Sequence, residues 1–135
     1  MNPDPRDILI KSRAFAVVGA TRNKDKYGYQ IFRILADSGY KAYAVNPNYD
    51  SIEESPCFPS LADLPEKPDV VVTVVPPHVT EKIIDEAARL GVPVVWMPPG
   101  SASETAIRKC EDCRLRHVDE ACVILAVKSL RWNSA

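Results

Sequence analysis

The stretch Val70-Val-Val-Thr-Val-Val75 decides the fold that this sequence predicts. Both of its faces are apolar, which is typical of a strand covered by helices on both sides. Other short, β-branched runs have the same character. The predicted strands are Ala14–Val18, Lys41–Val45, Asp69–Val75, Pro93–Met97 and a weaker fifth at Arg114–Val118.

Helical patterns lie between these runs. Tyr29–Ser38 carries an apolar stripe and is followed by Gly39, a residue type that favours the end of a helix. Thr80–Leu90 begins with a threonine suited to cap a helix and stops at Gly91. Further helices are expected over residues 4–11, from Ser101 or Ser103 to about Glu111, and over Asp119–Leu130.

Strands that alternate with helices imply parallel strands with right-handed crossovers. The sequence therefore predicts an α/β fold, a single-domain Rossmann-like doubly wound parallel sheet of about five strands. Asn46–Pro59, rich in Pro, Ser, Asn and Glu, is expected as a surface loop, with a short helical turn near Ser60–Leu64.

Length and charge limit the function classes. The 135 residues allow one domain, residues 1–135, and leave no room for a separate catalytic domain. A net charge of −1 gives no basic field for nucleic acid or acidic membranes. There is no apolar run long enough for a membrane span and no signal-peptide pattern, so we expect a cytoplasmic protein. The four cysteines are expected to be reduced and to hold no metal.

The loop after the first strand predicts an anion site. It reads Val18-Gly-Ala-Thr-Arg-Asn-Lys-Asp-Lys-Tyr-Gly28. Gly19 permits a tight turn there, and Gly28 lets the amides at the start of the next helix face an anion. The hydroxyl of Thr21 and the cation of Lys24 belong to a local polar and basic cluster that suits phosphate or pyrophosphate. A solvated basic loop is the alternative.

The strand ends indicate which nucleotide could bind. The dinucleotide fingerprint requires three spaced glycines and an acidic residue after the second strand. Here Asn46-Pro47 follows that strand, and a carboxylate is lacking. The loop therefore favours a nucleotide other than ordinary NAD. Val75-Pro76-Pro77 ends the third strand and forms either a rigid apolar wall beside a ligand or merely a stiff turn.

These segments, in this order and spacing, resemble a known family. The segments are Gly19-Ala20-Thr21 with Tyr27-Gly28, Val45-Asn46-Pro47-Asn48-Tyr49, Cys57–Pro65, Val75-Pro76-Pro77 and Val94–Met97. Together they are similar to the stand-alone CoA-binding domain proteins, which in turn resemble the N-terminal CoA-binding domain of the succinyl-CoA synthetase α subunit. The resemblance extends from about Ala14 to about Leu130.

The resemblance implies coenzyme A as the cofactor and assigns site residues by motif position. The residues that would cradle phosphates are Gly19, Ala20, Thr21, Lys24, Tyr27 and Gly28. Asn46 and Pro47 would face the adenosine, and Val75, Pro76 and Pro77 would line its wall. Two departures from the family pattern stand out: Asn48 replaces a common lysine, and Ala121 replaces the arginine before Cys122.

The resemblance favours a binding module for CoA or an acyl-CoA over an enzyme, with no catalytic residue assigned. The relatives' phosphohistidine domain has no counterpart in these 135 residues. Two alternatives stay open: a small enzyme acting on an acyl-CoA or nucleotide through His78 or Cys113, and an NAD(P)-binding redox sensor. A homo-oligomer or a partner subunit is compatible with the sequence.

Overall fold

The computed structural model describes residues 3–133. Its elements in chain order are α1 (Pro5–Lys11), β1 (Ala14–Val18), α2 (Tyr27–Asp37), β2 (Lys41–Val45), β3 (Ser51–Ile52), β4 (Ser55–Phe58), β5 (Val70–Thr73), α3 (Pro77–Leu90), β6 (Val94–Met97), α4 (Glu104–Asp112), β7 (Arg116–Asp119) and α5 (Val123–Asn133). A single 3-10 turn over Leu61–Asp63 lies between β4 and β5. Each predicted strand and helix therefore has an observed counterpart. The bounds are similar except for the last helix, which begins at Val123 rather than at Asp119, because Asp119 ends β7.

Within residues 3–133, seven strands form one sheet in the order β3-β4-β2-β1-β5-β6-β7. All neighbouring pairs are parallel except β3 with β4. The chain runs outward from β1 to β2, returns across β1 to β5, and continues outward on the other side. This confirms the Rossmann-like doubly wound α/β fold, in which ligands bind at the carboxyl ends of the strands where the order reverses.

The predicted count of about five strands is wrong, because the expected loop Asn46–Pro59 contains β3 and β4. These two strands form a hairpin, and β4 extends the parallel sheet beside β2. The two-residue turn consists of Glu53 and Glu54, both with positive φ. Such turns usually carry Asn-Gly or Asp-Gly, so the sequence lacked the ordinary hairpin signal. The hairpin is anchored by Ile52, which is fully buried.

The two faces of the sheet are covered by different helices. Side chains from α1, α2 and α5 pack on one face, around Phe15 and Trp96. Side chains from α3 and α4 pack on the other face, around Val71 and Met97. Val70, Val71 and Val72 in β5 are fully buried, as the doubly apolar pattern predicts.

The helix ends confirm two glycine predictions and correct one cap. Gly39 and Gly91 both adopt positive φ at the ends of α2 and α3. The cap at Thr80 is wrong, because α3 begins at Pro77, a residue whose fixed φ suits a first helical position. Thr80 is instead buried in the helix and its hydroxyl donates to the Pro76 carbonyl. No helix within residues 3–133 is both long enough and apolar enough to cross a bilayer.

Candidate functional site

Three hollows meet at the carboxyl end of β1, where the strand order reverses. The first, which we call the α2 recess, has a volume of about 320 Å³ and is lined by Gly19, Thr21, Lys26, Tyr27, Gly28 and Val74. The other two share residues with it, Gly19 on one side and Val74 on the other. An extended ligand could therefore span all three.

Two glycines shape the α2 recess. Gly19 has φ +96°, and its amide donates to the Val45 carbonyl at 2.9 Å. A Cβ at Gly19 would overlap the Val74 carbonyl oxygen, and a Cβ at Gly28 would overlap the Gly19 carbonyl oxygen. Both glycines are therefore needed for close approach of backbone to backbone, which brings the start of α2 against the β1–α2 turn.

The recess presents hydrogen-bond donors to an anion. Lys26 occupies the N-cap position of α2 without a capping side-chain hydrogen bond. The first amides of α2 are therefore free of a side-chain cap and carry the partial positive charge of a helix start. The hydroxyl of Thr21 lies 3.0 Å from that of Tyr49 and accepts from the Asn23 amide.

Tyr27 lies at the wall of the recess, but its hydroxyl is already engaged. It donates to Cys122 Sγ at 2.8 Å and thereby links the start of α2 to the segment before α5. Burial, together with this hydrogen bond, raises the pKa of Tyr27. The hydroxyl proton is therefore already used, which leaves the backbone amide as the donor that Tyr27 could offer to the predicted phosphate.

Two of the three cations in the loop turn away toward the β3–β4 hairpin. Arg22 Nε donates to the Ser51 carbonyl at 2.8 Å, and its guanidinium lies over the ring of Tyr49. Lys24 Nζ lies 3.9 Å from Glu53 Oε1 and does not line the recess. Lys26 is the cation that does line it.

The second hollow, the α3 groove, has a volume of about 360 Å³. Its walls are mostly apolar side chains of Val45, Val75, Val79 and Ile83, with Pro47 and Pro59 at the rim. The full lining is Val18, Gly19, Val45, Asn46, Pro47, Asn48, Pro59, Ser60, Val75, Val79, Ile83 and Glu86. Its size and mostly apolar walls are typical of a small-molecule site.

Asn46 fixes the mouth of the α3 groove. Its Nδ2 donates to the Ala20 carbonyl at 2.9 Å, and its Oδ1 accepts from the Asn48 amide at 2.9 Å. The side chain thus joins the loop after β1 to the loop after β2. Ala20 itself is fully buried in the core, and its carbonyl is held by the hydrogen bond from Asn46.

The third hollow, the proline cleft, lies between the ends of β5 and β6. It has a volume of about 390 Å³ and is lined by Thr73, Val74, Val75, Pro76, Pro77, Pro98, Pro99, Gly100 and Ser101. Two buried hydroxyls form its base: that of Thr73 lies 3.1 Å from that of Ser101, which donates to the Pro98 carbonyl. The cleft suits a narrow chain with a few polar groups.

The structure brings most of the predicted site residues together. Gly19, Thr21, Tyr27, Gly28, Asn46, Pro47, Val75, Pro76 and Pro77 line one or more of the three hollows. Lys24 and Ala20 do not. The site prediction omitted Lys26, Ser101 and Glu86. Lys26 was visible in the basic cluster, whereas the positions of Ser101 and Glu86 depend on how β5, β6 and α3 pack.

The candidate catalytic side chains lie elsewhere. His78 and Cys113 are exposed and line none of the three hollows. The second histidine, His117, is buried, and its Nδ1 lies 2.7 Å from Asp119 Oδ1. All four cysteines are free thiols, and burial raises the pKa of Cys110 to about 12. Among the described residues, no group of three or more His, Cys, Asp or Glu is placed to hold a metal ion.

Comparison with known proteins identifies the family. The model of the CoA binding domain matches residues 13–128. The chain belongs to this CoA-binding domain family. The membership expected from the sequence motifs is therefore confirmed.

Relatives of the CoA-binding domain family include much longer proteins. The ADP-forming acetate–CoA ligase II of Archaeoglobus fulgidus is 38% identical over 92 residues, which are 67% of this chain and 14% of that protein. The ADP-forming acetate–CoA ligase of Methanocaldococcus jannaschii is 36% identical over 91 residues, 64% of this chain and 13% of that protein. The chain thus spans about one seventh of these curated relatives.

A solved structure of similar extent shares the fold. A hypothetical protein from Pyrococcus horikoshii superimposes with a TM-score of 0.90 at 30% identity, covering 94% of this chain and 89% of that one. Agreement over nearly all of both chains supports the sheet order and helix layers described above.

Proposed function

We propose that this chain binds coenzyme A or an acyl-CoA across the three hollows at the carboxyl edge of its sheet. The observation that carries the proposal is their continuity through Gly19, Val74 and Val75. Coenzyme A has three chemically different parts, and each hollow offers an environment suited to one of them.

The α2 recess would hold the pyrophosphate. Its uncapped helix start, the backbone at Gly19 and Gly28, and the Lys26 ammonium group favour an anion in this position. Lys24, assigned to the phosphates by motif position, would act at longer range, since its side chain is 75% exposed and lies beside Glu53.

The α3 groove would hold the adenosine, and the proline cleft the pantetheine arm. Val79 and Ile83 supply apolar surface for a base, with Asn46 and Pro47 at the mouth of the groove. The buried hydroxyls of Thr73 and Ser101 lie at the base of the cleft along which the amide-containing arm would pass.

Ordinary NAD fits this arrangement less well. Dinucleotide-binding folds place a carboxylate at the end of the second strand to accept hydrogen bonds from the ribose hydroxyls. Here Asn46 occupies that point and uses its amide to join two loops. We therefore rank CoA above NAD as the ligand.

We further propose that the chain acts as a binding module, in one domain over residues 1–135 and in the cytoplasm. His78 and Cys113 line none of the hollows in which the ligand would lie, so we assign no catalytic residue. Chemistry on a bound thioester would then fall to a partner subunit or to a second copy of the chain.

Calorimetric titration with CoA, acetyl-CoA, NAD and ATP tests the proposal. We expect one site for CoA and acetyl-CoA, with NAD at least about tenfold weaker because a hydrogen bond to a charged acceptor is missing. A Lys82→Ala variant, altered at an exposed lysine outside the three hollows, is a matched control and should bind as the parent does. Tighter binding of NAD than of CoA would contradict the proposal.

A further inference from the structure

Glu86 lines the α3 groove, and the CoA contacts proposed above give its side chain no role. It follows Val79 and Ile83 on one stripe of α3, at the spacing that places residues on the same helix face. All twelve residues that line the groove are described, and among them Glu86 is the single side chain with an ionisable group. Its side chain is only 19% exposed.

The carboxylate of Glu86 is poorly partnered within the protein. In the described part of the chain, its nearest cation is Arg89, whose Nη2 lies 3.9 Å from Oε2. That distance is at the limit of an ion pair, and the Arg89 side chain is 69% exposed, so solvent weakens the interaction. Among the side chains and backbone amides that the structure describes, none donates a hydrogen bond to the Glu86 carboxylate oxygens.

A carboxylate in this position disfavours most ligands. It repels the phosphates of a nucleotide, and a ligand that covers it removes its water without replacing those hydrogen bonds. A base that presents an N–H group at this point would reverse the effect, because an ionised carboxylate accepts hydrogen bonds and donates none. The amine of adenine is such a donor, and it projects from the edge of the ring away from the ribose.

We propose that Glu86 is a specificity-determining residue of the α3 groove. Its carboxylate accepts a hydrogen bond from the exocyclic amine of the adenine base and so selects bases that carry this amine. The inference rests on the proposed function, which places the adenosine of CoA in this groove. Glu86 is then the side chain that distinguishes one base from another. The apolar walls cannot do so because they form no hydrogen bonds.

A double-mutant cycle with a modified ligand tests this role. Etheno-CoA carries a two-carbon bridge on the adenine that removes both N–H bonds of the exocyclic amine. We expect the parent protein to bind it about tenfold more weakly than CoA. Glu86→Met keeps the length of the side chain but removes the charged acceptor, so the two ligands should then differ by less than about twofold. Glu111→Met, at an exposed glutamate of α4 outside the groove, should keep the parental difference.

The outcomes separate this inference from the proposed function. If the parent binds CoA and etheno-CoA equally well, Glu86 does not select the base, although CoA binding stands. If Glu86→Met keeps the tenfold difference, the added bulk of the bridge causes it, and the inference is again overturned. If neither ligand binds the parent, the proposed function fails and the inference with it.

Discussion

The α2 recess and the α3 groove both border Gly19, but different kinds of groups line them. The recess is built mainly from backbone, with Gly19 and Gly28 in contact and an uncapped helix start facing outward. The groove is built from side chains, with Val79 and Ile83 on one wall. A substitution changes a side chain but leaves the backbone groups in place. The shape of the recess therefore depends on a few glycines, whereas the shape of the groove can change with each side chain that lines it.

Gly28→Ala should give the largest effect and tests the recess directly. Gly28 has no positive φ, so the substitution adds volume without backbone strain, but the new Cβ would overlap the Gly19 carbonyl oxygen. We expect a loss of about 3 kcal/mol or more in the free energy of unfolding, measured by urea denaturation. Gln30→Ala, at an exposed position of the same helix, should change stability by less than about 0.5 kcal/mol. Equal stabilities for the two variants would contradict the close backbone packing.

Lys26→Ala and Lys24→Ala should differ in their effect on CoA binding. Lys26 lines the recess, so its removal should weaken binding by about 1 kcal/mol, a value reduced by its exposure to solvent. Lys24 lies outside the recess and beside Glu53, so its removal should cost less than about 0.5 kcal/mol. Calorimetry on both variants measures the difference, and a larger effect at Lys24 would place the phosphates nearer the hairpin.

The rate at which Cys122 is alkylated gives a further test of ligand binding in the α2 recess, with a smaller expected effect. The Sγ of Cys122 accepts from the Tyr27 hydroxyl behind the recess wall, and the side chain is partly exposed. We expect saturating CoA to slow alkylation of Cys122 several-fold, measured by mass spectrometry of the labelled peptides. Cys113, exposed at the end of α4, is the internal control and should react at an unchanged rate. If CoA slowed the alkylation of Cys113 as much as that of Cys122, the protection would not come from ligand bound in the α2 recess.

The sequence predicted the central strands and the loop after β1 well. It predicted the β3–β4 edge of the sheet and the lining of the α3 groove less well. Short apolar runs identify β1, β5 and β6 because burial on both faces of the sheet leaves little freedom of composition. The β3–β4 hairpin was missed because its turn, Glu53-Glu54, contains none of the usual turn residues.

In the candidate site, too, some residues could be predicted from the sequence and others could not. Gly19 and Gly28 could be chosen from sequence, since local chain geometry requires them, as the backbone contacts between them now show. The choice between Lys24 and Lys26 depends on how the loop meets the hairpin, and the position of Glu86 depends on which face of α3 borders β2. Neither is encoded within a short stretch of sequence.

The central claim is that one CoA molecule spans the recess, the groove and the proline cleft. The most direct test is amide NMR of the labelled protein titrated separately with adenosine 3′,5′-bisphosphate and with pantetheine. We predict that the bisphosphate shifts the amides of Gly28 and Ile83, whereas pantetheine shifts those of Gly100 and Ser101. Shifts confined instead to the separate hollow at Leu64–Lys67, at the other edge of the sheet, would contradict the account.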